Sequence, residues 1–187
     1  MTTAAGTPTW AAEFGVIGER LRATLGEHAL RIDHIGSTAV PGLPAKNIID
    51  IQVSVAALDA HLLAPLFARA DFVLVPERVQ DHRPPGSPEP ESVWRKLYFS
   101  PVEGRPIHVH TRAAGRPNQR FALLFRDYLR AQPDAAAAYA EVKRRLAALE
   151  IDSLVYADVK DPVVDLIVQA AELWAAQTDW APGPSDA

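Results

Sequence analysis

The chain has 187 residues, 48% of them hydrophobic, no cysteine, and a formal net charge of −4 with a pI near 5.8. Such a length buries a proper core and fits one domain better than two. The acidity argues against a broad grip on nucleic acid and favours a small anionic ligand, while the lack of cysteine excludes disulfides, thiolate nucleophiles and cysteine-ligated metal.

The opening segment MTTAAGTPTW has neither a basic n-region nor an apolar h-region, and no stretch reaches the roughly 18 uncharged apolar residues of a membrane span. A soluble, cytoplasmic protein with no membrane partner is expected. Trp10, Phe14, Ile17, Leu21 and Leu25 fall at steps of three and four, which predicts a core-facing helix over 9–27. ALRIDHI then reads as a short strand ending at Gly36, and NIIDIQVSV as a buried strand rich in isoleucine and valine. Leu58, Leu62, Leu66 and Phe67 predict a helix over 57–70, followed by a strand at DFVLV. The segment 76–92 is too rich in proline for either regular element and is read as a mobile surface loop, a solvated insertion rather than a lid. VWRKLYFS and PIHVHT flank a turn at Glu103 and Gly104 and predict a hairpin. Phe121, Leu124, Phe125, Tyr128 and Leu129 then form one helical face, ended by Pro133. Asp134 is the expected cap of an alanine-rich helix, and Asp161 with Pro162 the expected start of a last helix over 161–178. The order predicts an α+β fold with α/β-like character: a small mixed sheet flanked by helices, with a helical C-terminal half. Residues 1–180 are expected to form a single domain, and APGPSDA at 181–187 a disordered tail.

Polar groups gather around one loop. Gly36 and Ser37 end a strand, and if a helical turn follows, its free N–H groups favour phosphate oxygens; an ordinary glycine turn with a capping serine is the plainer alternative. Lys46 stands just before the next strand, within reach of the same anion. Asp50 lies among Ile48, Ile49, Ile51 and Val53, and a carboxylate inside such a strand calls for a partner, a metal or a catalytic role. His108 and His110 share one strand face, where two imidazoles can hold one metal or one ligand. Arg126 is a candidate for pairing with Asp50 or holding a substrate anion, with Asp127 orienting it. Tyr156 and Lys160 have helical spacing and are candidates for the same cleft.

HIGSTAVPGLPAKNIIDI resembles the signature of the GrpB family, the domain also found fused to some dephospho-CoA kinases. IHVH, LLFRDYLRAQP, Tyr139 followed by VKRRLA, and YADVK at 156–160 resemble that family's later motifs in the same order, so the resemblance covers nearly the whole chain. It implies a nucleotidyltransferase-like fold, in which a Gly-Gly or Gly-Ser precedes an Asp-x-Asp or Asp-x-Glu on the next strand and a further acid lies on a neighbouring strand. Gly36, Ser37 and Asp50 match by position, whereas Gln52 stands where the second acid would be. Two-metal phosphoryl transfer needs carboxylates to hold two ions about 4 Å apart. Histidines in place of the third acid suit zinc better than magnesium.

Three functions follow as expectations. The first is a nucleotidyltransferase-like protein that binds a nucleotide or phosphorylated small molecule through Gly36, Ser37, Lys46, Arg126 and Lys160. Asp50 would be catalytic there, and Asp50, His108 and His110 would hold a divalent metal (Mg, Mn or Zn) for nucleotidyl or phosphoryl transfer. The second is a non-catalytic ligand-binding module that lacks the second carboxylate. The third is a metal-dependent hydrolase built on Asp50 and the histidine pair.

Overall fold

A computed structural model describes residues 9–149 and 153–187; segment 1–8, read above for a targeting signal, lies outside the described residues. Helix α1 (Thr9–Leu25) turns Trp10, Phe14, Leu21 and Leu25 into the core, as their spacing predicted. Strands β1 (Arg31–Ile35) and β2 (Ile49–Val55) follow, joined by a loop that holds one 3₁₀ turn. Helix α2 (Ala60–Ala68) is capped by Asp59, whose carboxylate accepts from the N–H groups of His61 and Leu62. Strand β3 (Phe72–Leu74) and the hairpin of β4 (Leu97–Pro101) and β5 (Ile107–Ala113) complete the strands. Helices α3 (Pro117–Ala131), α4 (Pro133–Ala148) and α5 (Ser153–Thr178) form the helical C-terminal half.

The described strands form one mixed sheet in the order β1-β2-β5-β4-β3, in which β2 and β5 run parallel and the other neighbours antiparallel. Alternation along β2 and β5 gives the sheet two unlike faces. Ile49, Ile51, Val53, Ile107 and Val109 pack with Trp10, Phe14, Leu63 and Phe67 of α1 and α2. Asp50, Gln52, Ser54, His108, His110 and Arg112 point the other way, with Asp50 opposite His108 and Gln52 opposite His110. Helix α3 covers part of that polar face, so its buried residues include Asn118, Gln119 and Arg126. Gln119 is the joint: its carbonyl accepts from Gln52 Nε2 at 3.1 Å, and its own amide donates to Ser54 Oγ at 3.3 Å. Gln52, Ser54 and Gln119 thereby find partners within the interior.

Three expectations are corrected. Asp134 does not cap α4: Gln132 holds that position and Pro133 is the first helical residue, where its missing N–H forfeits no helical bond. Helix α5 starts at Ser153 rather than 161 and carries Pro162 inside it, which removes the bond to the Asp158 carbonyl. The segment 181–187 is ordered along β1. Ile32 O accepts from the N–H groups of Asp186 and Ala187 at 3.1 Å each, Ile32 N–H donates to Ser185 Oγ at 2.8 Å, and His34 N–H donates to the Asp186 carboxylate at 2.9 Å. The proline-rich segment is exposed over most of its length, as a solvated insertion should be, but it is anchored to the fold. Its Asp81 accepts from Lys96, Arg112 and Asn118, His82 Nε2 meets the Asp165 carboxylate at 2.9 Å, and just beyond the segment Trp94 is buried with its ring 5.9 Å from that of Phe121.

Candidate functional site

The polar groups of the β1–β2 loop do meet at one place, and Gly36 is the reason they fit. It ends β1 with φ +69° and ψ −166°, a conformation essentially reserved for glycine. A Cβ there would lie 2.6 Å from Asp50 Oδ2 and 3.0 Å from the Asp50 Cβ and Cγ atoms. The main chain therefore passes directly against the carboxylate. Gly36→Ala is expected to lower stability by about 2–4 kcal/mol, combining backbone strain with overpacking. Urea unfolding measures this, and an unchanged midpoint would mean that Asp50 has room to move.

After Gly36 the 3₁₀ turn Ser37–Ala39 is closed by the Ala39 and Val40 N–H groups, each 3.3 Å from its acceptor. Three residues do not make a helix, so the positive charge for an anion comes from side chains instead. Lys46 from the loop, Lys143 from α4 and Lys160 from α5 line a cavity of about 300 Å³ together with Ser37, Asp50, His108, Tyr139 and Tyr156. Tyr139 with Lys143, and Tyr156 with Lys160, are each four apart on a helix and so share a face. Lys143 Nζ donates to Ser37 Oγ at 2.7 Å and to Pro44 O at 2.5 Å. Burial pulls its pKa down to about 8, with Lys160 and Lys46 adding to the effect. Lys46 Nζ sits 4.8 Å from the Tyr156 ring centre, a cation–π contact that holds it at the cavity wall. Burial pushes the Tyr139 hydroxyl above its usual range.

At the sheet side of the cavity, His108 Nδ1 lies 3.1 Å from Asp50 Oδ1 and His110 Nε2 3.8 Å from the same oxygen. Burial pushes the Asp50 carboxyl up, but hydrogen bonds from His108 and His110 outweigh it and hold the group below the usual carboxylate range. His110 is lowered to about 4, chiefly by burial, with the positive charges of Lys96 and Arg112 assisting.

Gly36, Ser37, Lys46, Asp50, His108 and Lys160 are thus brought together as expected, with His110 behind them. Arg126 is not: its Nη1 donates to His34 O at 3.0 Å and to Asp186 at 2.7 Å, and its Nε to Asp127 at 2.7 Å. It braces β1 and the tail, with its charge already matched. Gln52 is occupied as well, accepting from Arg112 at 2.5 Å and donating to Gln119 O. The position of a second acid is therefore filled by a structural amide, and Asp50 is the single carboxylate lining the cavity among the described residues. Tyr139 and Lys143 stood out only as part of a motif and were not assigned to the site, because the alanine-rich stretch around them reads as a plain helix, although their spacing was visible.

A family model described as GrpB protein matches residues 2–170. The chain belongs to the GrpB family. The dephospho-CoA kinase of Mycolicibacterium paratuberculosis is 40% identical over 192 residues, which cover 94% of this chain and 47% of that protein. A UPF0157 protein of Halalkalibacterium halodurans is 33% identical over 166 residues, covering 88% of this chain and 78% of that one. The chain spans about half the length of the kinases it matches. A crystal structure of GrpB from Enterococcus faecalis superimposes with a TM-score of 0.73 at 30% identity, covering 91% of this chain and 98% of that one. The mixed α+β architecture is thus shared with a GrpB-family protein. No helix among the described residues is long and apolar enough to cross a membrane.

Proposed function

We propose that this GrpB-family chain binds a nucleotide or another phosphorylated small molecule, with its phosphates between Lys46, Lys143 and Lys160. The observation that carries the reading is the convergence of three lysines, from a loop and two helices, on one small cavity. Like charges are not gathered in a part-buried pocket without cost, and phosphate oxygens are the ligand atoms that relieve it. Ser37, which accepts from Lys143, sets the direction of that ammonium. Relatives carrying the name dephospho-CoA kinase lend support, since that name denotes proteins that act on a nucleotide. Gln52, spent on Arg112 and Gln119, favours binding over two-metal transfer chemistry.

A thermal-shift titration with inorganic pyrophosphate and with ATP, each with and without Mg²⁺, Mn²⁺ or Zn²⁺, tests the reading. A ligand at 100 times its Kd stabilises by about 2.7 kcal/mol. Pyrophosphate alone is expected to raise Tm. The double substitution Lys143→Ala, Lys160→Ala is expected to weaken its binding by at least roughly 100-fold, since each charge-assisted bond contributes about 1.5–3 kcal/mol. An unchanged affinity would move the anion elsewhere. A second reading, metal-dependent nucleotidyl or phosphoryl transfer at Asp50, His108 and His110, starts from the approach of their ligand atoms to within 4.8 Å of one another and requires each histidine to offer a lone pair there. It predicts a shift only when nucleotide and metal are both present.

A further inference from the structure

Whether Asp50, His108 and His110 can hold a cation depends on where their protons are. Lys96 Nζ lies 3.2 Å from His110 Nδ1, and Arg112 Nη2 lies 3.5 Å from the same atom. A guanidinium and an ammonium only donate. Burial lowers the pKa of Lys96, while Asp81, 2.6 Å away, accepts from its Nζ and favours the ammonium form. His110 Nδ1 is therefore the acceptor, and its ring proton sits on Nε2, the atom that faces Asp50. A metal would need a lone pair at that atom. Freeing it would move the proton to Nδ1, where an N–H would confront two cations. The donor set, as its surroundings protonate it, does not fit a bound metal.

The same reasoning assigns His108. An ionised Asp50 only accepts, so the 3.1 Å contact is a hydrogen bond from His108 Nδ1–H. Nε2 is then the basic nitrogen of this ring, and it has no protein partner among the described residues. His108 also stands between two cavities, the lysine-lined one and a neighbour of about 610 Å³ to which Arg78, Tyr98 and Ser100 contribute.

We propose that Asp50 and His108, with His110 held behind them by Lys96, form a metal-independent proton-transfer site in which His108 Nε2 accepts a proton from a hydroxyl or water. The O–H bond breaks, an N–H bond forms at Nε2, and the imidazolium stays paired with Asp50. The freed oxygen forms a bond to phosphorus in the lysine-lined cavity, and the electron pair of the broken P–O bond leaves with the departing group. The proposal takes its substrate from the phosphate reading above, but its proton positions stand apart from it.

Long-range ¹⁵N–¹H correlation spectra of the labelled full chain at pH 7.5, with and without one equivalent of ZnCl₂, read those positions directly. His108 is expected to be protonated on Nδ1 and His110 on Nε2, and neither ring to respond to Zn²⁺. Lys96→Met is expected to release the His110 tautomer, after which Zn²⁺ perturbs both rings. Loss of the His110 Nε2 proton in the wild-type chain on adding Zn²⁺, or a proton found on His110 Nδ1 without it, would overturn the inference. Because the spectra need no phosphate ligand, the expected tautomers without a pyrophosphate-induced shift in Tm would sink the phosphate reading alone.

Discussion

Replacing Asp81 by alanine is expected to cost about 3–5 kcal/mol, the range for removing one partner of a buried ion pair. Its carboxylate accepts from Lys96 at 2.6 Å, from Arg112 Nε and Nη2 at 2.7 and 2.9 Å, and from Asn118 at 2.9 Å. Burial raises the Asp81 carboxyl, but Arg112 and Lys96 outweigh it and hold the group well below the usual range. Without Asp81 two cations stay inside with no anion between them, which is why the loss exceeds that of a surface pair. Urea unfolding at pH 7.5 measures it. Lys96→Met in the Asp81→Ala background should recover part of the loss, because one stranded charge goes with it. Strictly additive effects would mean that the network is no unit.

Acidification supplies the second large effect. His34 is buried on the apolar face, stacked 4.8 Å from Phe14, and burial with Arg130 nearby lowers it to about 4. His110 is lowered to about 4 as well. For a base depressed on folding, the neutral ring belongs to the folded state. The unfolded chain takes up its protons near the ordinary value of about 6.5, so this stability is intact above that pH and is lost as pH falls toward about 4. Each ring contributes a slope of about 1.4 kcal/mol per pH unit within that window. Between pH 6 and pH 5 the unfolding free energy is therefore expected to drop by about 2–3 kcal/mol. Below pH 4 the depressed carboxyls of Asp50 and Asp81 extend the loss, since their contribution is present above the unfolded value and disappears as they protonate. Urea titrations at pH 7.5, 6, 5 and 4.5 test this, and a flat profile would mean that both rings are charged in the folded chain.

Much of the fold was legible because it is written in local periodicities. The spacing of Trp10, Phe14, Leu21 and Leu25, and the alternation in IIDIQV and IHVH, need no distant information. The sidedness of β2 also placed Asp50 and Gln52 together correctly. What escaped depends on residues far apart in sequence. Asp81 sits in a segment whose composition signals a loop, yet its carboxylate is placed by Lys96 and Arg112 across the hairpin. The tail has the proline, glycine and serine of a disordered end, but Asp186 meets Arg126, 60 residues away in sequence. Arg126 was drawn to the wrong carboxylate for the same reason: spacing gives the face of a helix but not the depth at which each turn meets the sheet. Lys143 went unassigned because a lysine on an alanine-rich helix carries no local mark of burial.

The ordering of residues 183–187 bears on how the protein behaves at high concentration. A sheet tends to grow at its edges, where unpaired N–H and C=O groups invite another strand. On the β1 side Ile32 spends both of its main-chain groups on the tail, and Arg31 anchors Gly183 O at 2.7 Å and Pro184 O at 3.2 Å. On the β3 side the strand is only three residues long. One margin is sealed and the other too short to template an addition, so the protein carries its own protection against strand-to-strand aggregation.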